Sequence, residues 1–185
     1  YDHSELLIET SKNLDVLTRQ LYVQSKSYDE IVDFAKNKEK WLSCIPAIQP
    51  INNKDLSLIA SYFGWRMDPV YKTMKHHDGI DFACPTGTDI YATGDGIVRA
   101  SEFSMGGYGN CIEINHGFGY VTRYAHLSKI IAFAGKKVKR GEVIGLVGNT
   151  GKSVGSHLHY EVIKNGRNVD PINYYFLDLS PSQYD

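Results

Sequence analysis

Apolar residues recur every seven positions from Leu7 through Leu14, Leu21 and Tyr28 to Ala35, and Leu17 and Ile31 fall on the companion row. No Pro or Gly interrupts residues 4–42. A period near 3.5 without breakers predicts helix with one apolar stripe. Thr10, Gln24 and Lys38 share the companion row, so the heptad is imperfect. Ser27 and Glu30 form a Ser-x-x-Glu pattern that can open a new helix. The segment therefore reads as one long amphipathic helix or as a helical hairpin. Its stripe could pair with a second copy, giving a dimer, or pack on the rest of the chain, because periodicity does not identify the partner.

The pattern changes after Pro46 and Pro50, which end the helical zone. Runs at 97–100, 111–115, 120–124, 143–147 and 157–163 read as strands, separated by Gly-rich turns. Asn165-Gly166 between apolar runs is a hairpin signal. The predicted organisation is a helical segment at 1–44, an extended linker at 45–54, a mainly antiparallel β domain at 55–178 and a tail at 179–185. The fold class is α+β overall, with the chemistry expected in the β domain.

Composition adjusts this picture at three points. The chain has 20 basic and 21 acidic residues and a formal net charge of -1, so it lacks the basic excess of a nucleic-acid binder. Cys44, Cys84 and Cys111 form no CxxC pattern. They read as three buried small residues, with a Cys84–Cys111 bridge as the alternative. No apolar run reaches the ~20 residues of a membrane-spanning helix. The chain starts at Tyr1 rather than Met, which leaves room for an anchoring or signal segment upstream.

Four of the seven histidines and one aspartate fall into suggestive patterns. In His76-His77-Asp78-Gly79-Ile80-Asp81, the imidazole of His77 and the carboxylate of Asp81 are four residues apart. If a strand begins at Ile80, even spacing could bring them to one point. In His157-Leu158-His159-Tyr160-Glu161, alternation puts both histidines and Glu161 on one face of a strand. Catalytic zinc is commonly held by three protein ligands, with a fourth position open to water. His77, Asp81 and one histidine of the pair would supply that set. The other, with His126, would be free to handle protons.

These pieces resemble, in order, the lysostaphin/LytM-type zinc metallopeptidases, which cleave peptide bonds in bacterial peptidoglycan. Phe63-Gly64-Trp65-Arg66 precedes His77-Asp78-Gly79-Ile80-Asp81. Thr122-Arg123-Tyr124-Ala125-His126-Leu127 and Gly155-Ser156-His157-Leu158-His159-Tyr160-Glu161 follow, and Asp170-Pro171 closes the run. The resemblance covers about 61–175. It implies a duplicated-hybrid-motif-like antiparallel sheet and one Zn2+ on His77, Asp81 and His159. It makes His126 and His157 the non-ligand catalytic histidines, and His116 structural. Arg66 could meet a substrate carboxylate or form a structural salt bridge. Tyr108, Asn110 and Ser153 fall where groove loops would lie. The implied partner is a peptidoglycan peptide, cross-link or stem, and the implied place is the cell envelope, periplasmic or membrane-anchored.

Two other readings compete. Some relatives with broken ligand sets act as regulators of other cell-wall hydrolases, and a latent or non-enzymatic role would suit a helical arm. The ligand set here is complete. The stretch Val138-Lys139-Arg140-Gly141-Glu142-Val143 is similar to hairpins of biotinyl and lipoyl carriers, but it presents no lysine in a tight hairpin with flanking Met, as a carrier needs for its prosthetic group.

Overall fold

A computed structural model describes residues 3–67 and 72–175. The expected tail at 179–185 and the domain end at 178 lie outside the described residues. The chain divides into two units, Tyr1–Trp41 and Leu42–Asp185, taken here one at a time.

The first unit is almost wholly α1 (His3–Cys44), one unbroken helix of 42 residues. Ser27 does not start a second helix, so the hairpin alternative is excluded. With neither Gly nor Pro nearby, nothing breaks the main-chain ladder there. Thr10 and Thr18 donate from their hydroxyls, and Asn37 from its amide, to carbonyls four residues back. Their polar groups are thus satisfied within the helix. Leu7, Leu14, Leu17 and Leu21 are exposed. No helix among the described residues is long and apolar enough to cross a membrane.

In the second unit the expected linker is part of the core. Ile45, Ala47 and Ile51 are buried, and Ala47 N donates to Thr93 O at 3.1 Å. Thirteen strands are described: β1 (Leu58–Ser61), β2 (Gly64–Met67), β3 (Met74–His77), β4 (Ile80–Ala83), β5 (Asp89–Tyr91), β6 (Gly96–Ser104), β7 (Gly109–Gly117), β8 (Tyr120–Leu127), β9 (Lys129–Ile130), β10 (Lys137–Val138), β11 (Val143–Leu146), β12 (His157–Lys164) and β13 (Arg167–Val169). The main sheet runs β1-β4-β12-β8-β7-β6-β10, and β13 pairs with β12. A three-stranded sheet runs β5-β11-β9, and β2 pairs with β3 alone. Every pairing is antiparallel. Asn165 and Gly166 both have positive φ, 50° and 78°, and close the β12–β13 hairpin as expected.

One face of the main sheet is core. Ile112, Ile114, Tyr124, Leu158 and Tyr160 are fully buried. β11 packs closely on this face, since a Cβ on Gly145 would lie 2.6 Å from Leu127 Cδ2. The polar atoms of this core satisfy one another. Tyr160 OH donates to Thr93 Oγ1 at 3.0 Å, Thr93 N donates to Tyr124 OH at 3.0 Å, and Thr122 Oγ1 bridges Tyr124 OH and His116 Nε2. His116 Nδ1 donates to the Asp95 carbonyl at 2.9 Å. Burial pushes its pKa down to about 4, and its place in this network matches the expected structural role. Cys44, Cys84 and Cys111 are free and buried, so the Cys84–Cys111 bridge does not form.

The opposite face carries the polar side chains. Register places Asp81 of β4 directly opposite His159 of β12, and Glu161 of β12 opposite Arg123 of β8. One bulge matters. Between Asn110↔Leu127 and Ile112↔Tyr124, β7 advances two residues while β8 advances three. Ala125 and His126 together therefore oppose Cys111. His126 takes φ 65°, and Leu127 returns to the core with no exposed surface.

Candidate active site

His77 ends β3, and Asp81 lies inside β4, in a different sheet. They converge across the Asp78-Gly79 corner, not along one strand. Gly79 is required there, because a Cβ would lie 2.3 Å from the Tyr160 carbonyl oxygen. His159 reaches the same point from β12. His77 Nε2, Asp81 Oδ1 and His159 Nδ1 are mutually 3.1, 3.2 and 2.8 Å apart. All three residues are buried, and together they form a group able to hold a metal ion.

The donor set fits such an ion. Three lone-pair atoms aimed at one buried point need a cation or a proton between them. Two imidazole nitrogens and one carboxylate oxygen are a zinc-type set, and tetrahedral bonds of ~2.0–2.1 Å separate ligand atoms by about 3.3 Å. The electrostatics agree. Burial alone would lower the His159 pKa, but hydrogen bonds to Asp81 and Glu161 reverse this and raise it to about 9. Burial alone would raise that of Asp81, but His159 and His77 hold it well below the usual carboxylate range. Without an ion, the carboxylates of Asp81 and Glu161 thus favour a protonated His159.

His77 and Asp81 are each held from behind. His77 Nδ1 donates to the Tyr62 carbonyl at 2.8 Å, which leaves Nε2 to face the cluster. The second oxygen of Asp81 meets Arg66 Nη2 at 3.4 Å. Arg66 thus forms the salt bridge that was one of its two expected roles.

Two further imidazoles flank the cluster. His126 Nδ1 donates to Thr150 O at 2.8 Å, and His157 Nδ1 donates to Gly155 O at 2.8 Å. Carbonyls only accept, so each Nδ1 carries a proton, and in the neutral ring Nε2 is then an acceptor. The two rings lie 4.7 Å apart, and His157 Nε2 is 3.8 Å from Asp81 Oδ1. Burial, together with the charges of His157 and His159, lowers the pKa of His126 to about 4. It is therefore neutral at neutral pH. Its left-handed backbone is of the kind that concentrates at functional sites.

The cluster lies in an open cleft of about 240 Å³, whose walls include Arg66, Lys75, Tyr108, Lys152 and Ser153. Ser153 Oγ donates to Gly155 O at 2.8 Å and lies 3.1 Å from His157 Nδ1. Asn110 is not part of the cleft lining: its amide donates to the Leu127 carbonyl at 3.0 Å. His76, between the rings of Phe63 and Trp65, hydrogen-bonds Asp78. Glu161 is a site residue that motif spacing alone does not single out, although alternation already places it on the histidine face.

Residues 75–171 match peptidase family M23. Over 115 residues, 62% of this chain, the sequence is 48% identical to the DD-carboxypeptidase/endopeptidase Mpg of Neisseria meningitidis serogroup B, and covers 26% of that protein. The fold is similar to that of a zinc-containing peptidase from Vibrio cholerae, with TM-score 0.62, 40% identity and coverage of 71% of this chain and 39% of that one. It is also similar to the catalytic domain of lysostaphin from Staphylococcus simulans, with TM-score 0.58, 30% identity and coverage of 65% and 92%. The chain spans about a quarter of the length of the curated relatives it matches.

Proposed function

Because the chain belongs to peptidase family M23, we propose that it is a zinc-dependent endopeptidase that hydrolyses D,D-peptide bonds of bacterial peptidoglycan in the cell envelope. The observation that carries this reading is the buried convergence of His77, Asp81 and His159 beside two acceptor imidazoles. The D,D bond is suggested by the name of the Neisseria relative.

His77 Nε2, Asp81 Oδ1 and His159 Nδ1 would hold the ion. Zinc bound there supplies Lewis acidity and brings the pKa of a coordinated water toward ~7. His126 and His157 do the proton work. Each presents an Nε2 lone pair while its Nδ1–H is tied to the main chain, so either can accept a proton at Nε2 during attack on a carbonyl and, once protonated there, donate that N–H to the developing oxyanion or the leaving amine. The cationic side chains of Arg66 and Lys75 on the cleft wall suit a substrate carboxylate. Tyr108 and Ser153 border the same space. The complete ligand set favours this reading over a non-enzymatic regulator. The exposed leucine row of α1 supports pairing with a second copy.

The test is peptidoglycan digestion with mass analysis of the products. New peptide termini from the unaltered chain, absent with His159→Ala or with chelator, support the proposal. A chain loaded with one zinc that releases no peptide from any peptidoglycan sinks it.

A further inference from the structure

Glu161 has no exposed surface, yet it is an acid on the face that carries the metal cluster. Four donors reach its carboxylate: His159 Nε2 at 3.0 Å, Tyr108 OH at 2.8 Å, Arg123 Nη1 at 2.8 Å and Asn168 Nδ2 at 2.9 Å. A carboxylate has about four lone-pair sites, so its accepting capacity is filled. Behind it, Arg123 donates from Nε and Nη2 to Glu113 Oε1 at 2.8 and 2.6 Å. Arg99 Nε meets Glu113 Oε2 at 3.0 Å.

Strand register builds this row. Glu113, Arg123 and Glu161 are direct cross-strand neighbours on β7, β8 and β12. A buried ion pair is a weak source of stability, and well-packed apolar residues often serve as well. What the row does achieve is directional. Its end meets one nitrogen of one ring, His159 Nε2. In the neutral ring that binds a metal, an Nε2–H donated to Glu161 leaves Nδ1 as the lone pair, and Nδ1 is the atom that faces His77 Nε2 and Asp81 Oδ1.

We infer that Glu161, braced by Arg123 and Glu113, is a positioning residue that fixes His159 as the Nε2–H tautomer and so presents Nδ1 to the metal. The inference rests on the zinc reading proposed above. Tyr108 takes part through the same carboxylate, since its hydroxyl donates to Glu161 and accepts from Arg123 Nη1 at 3.0 Å. This gives a groove residue a link to the ligand that does not run through substrate.

The test is the zinc affinity of the full chain, read by competition with a chromophoric chelator, for the unaltered protein and for Glu161→Gln. The substitution keeps the shape but removes the charge and turns a donor toward donors. Zinc binding should weaken about 10- to 100-fold with secondary structure retained. A purely structural role would lower the thermal midpoint and leave the affinity of the folded protein unchanged, and that result would overturn the inference. Nitrogen NMR of the unaltered zinc-loaded chain decides independently if Glu161→Gln does not fold. Metal on Nδ1 with a protonated Nε2 supports the assignment, and metal on Nε2 refutes it. Neither readout uses peptidase activity, so a chain that binds zinc in this way but cuts nothing would remove the proposed function and leave the inference standing.

Discussion

The rings of His126 and His157 lie 4.7 Å apart, and each is turned the same way by a main-chain carbonyl on its Nδ1. They arrive differently, His157 on a regular strand and His126 on a bulge. Replacing either by Ala should lower kcat/KM by about 10²- to 10⁴-fold while zinc stoichiometry stays at one. His159→Ala should lose both activity and zinc. Metal analysis beside kinetics separates the two classes, and loss of zinc in His126→Ala would count against its placement outside the ligand set.

Gly79 and Gly155 give a paired prediction. A Cβ at Gly79 would collide with the Tyr160 carbonyl, whereas one at Gly155 would meet nothing within 4 Å. Gly79→Ala should cost about 1–3 kcal/mol or more through overpacking and should spread His77 from Asp81. Gly155→Ala should be close to neutral. Denaturant titration and zinc content of both variants check this. Equal behaviour would mean the corner relaxes freely.

Metal removal should be visible in stability. A ligand that binds only the folded chain stabilises it by about 2.7 kcal/mol at 100 times its Kd. Zinc should raise the thermal midpoint of the unaltered chain and leave that of His159→Ala unmoved. A zinc-induced shift retained in that variant would place the ion elsewhere.

His116 predicts a pH dependence. Burial lowers its folded pKa to about 4, below the ordinary ~6.5. The unfolded chain therefore binds the extra proton first, and stability rises with pH through this window. The contribution of His116 should be fully present above about pH 6.5 and fade as pH falls toward 4, to a total of about 3 kcal/mol. Between the unaltered chain and His116→Gln, measured metal-free by urea titration from pH 7 to 4, the stability difference should shrink as pH falls. A difference independent of pH would refute the assignment.

Alternation at 157–163 was enough to place His157, His159 and Glu161 on one face, and the Asn165-Gly166 turn was legible because both residues suit positive φ. Membership of the candidate metal cluster could also be read, because Asp81 and His159 occur in ordered motifs. The route by which His77 arrives could not, since it depends on a corner between two sheets where Gly79 passes the β12 backbone. The bulge at Ala125 and His126 was hidden for a similar reason. Register is a property of two strands, and a bulge leaves no mark in one. Likewise, Arg123 and Glu113 become partners of Glu161 only through pairing. The Ser27 pattern misled because Ser-x-x-Glu is equally comfortable inside a helix that has no other reason to stop.

The bulge in β8 makes the two flanking histidines answer to different kinds of change. His157 shares a strand with His159 and Glu161, so any displacement of β12 carries all three as one body and preserves their spacing. His126 owes its place to one surplus residue, which adds a side chain to the working face while Leu127 keeps its seat in the core. Its distance from the other histidines is thus set by chain length rather than by residue identity. Loss of Ala125 would slide His126 into the slot facing His159 with the core beyond it intact. At this point the loss of one small residue would retune the reach of one imidazole while every histidine of the site stayed in the chain.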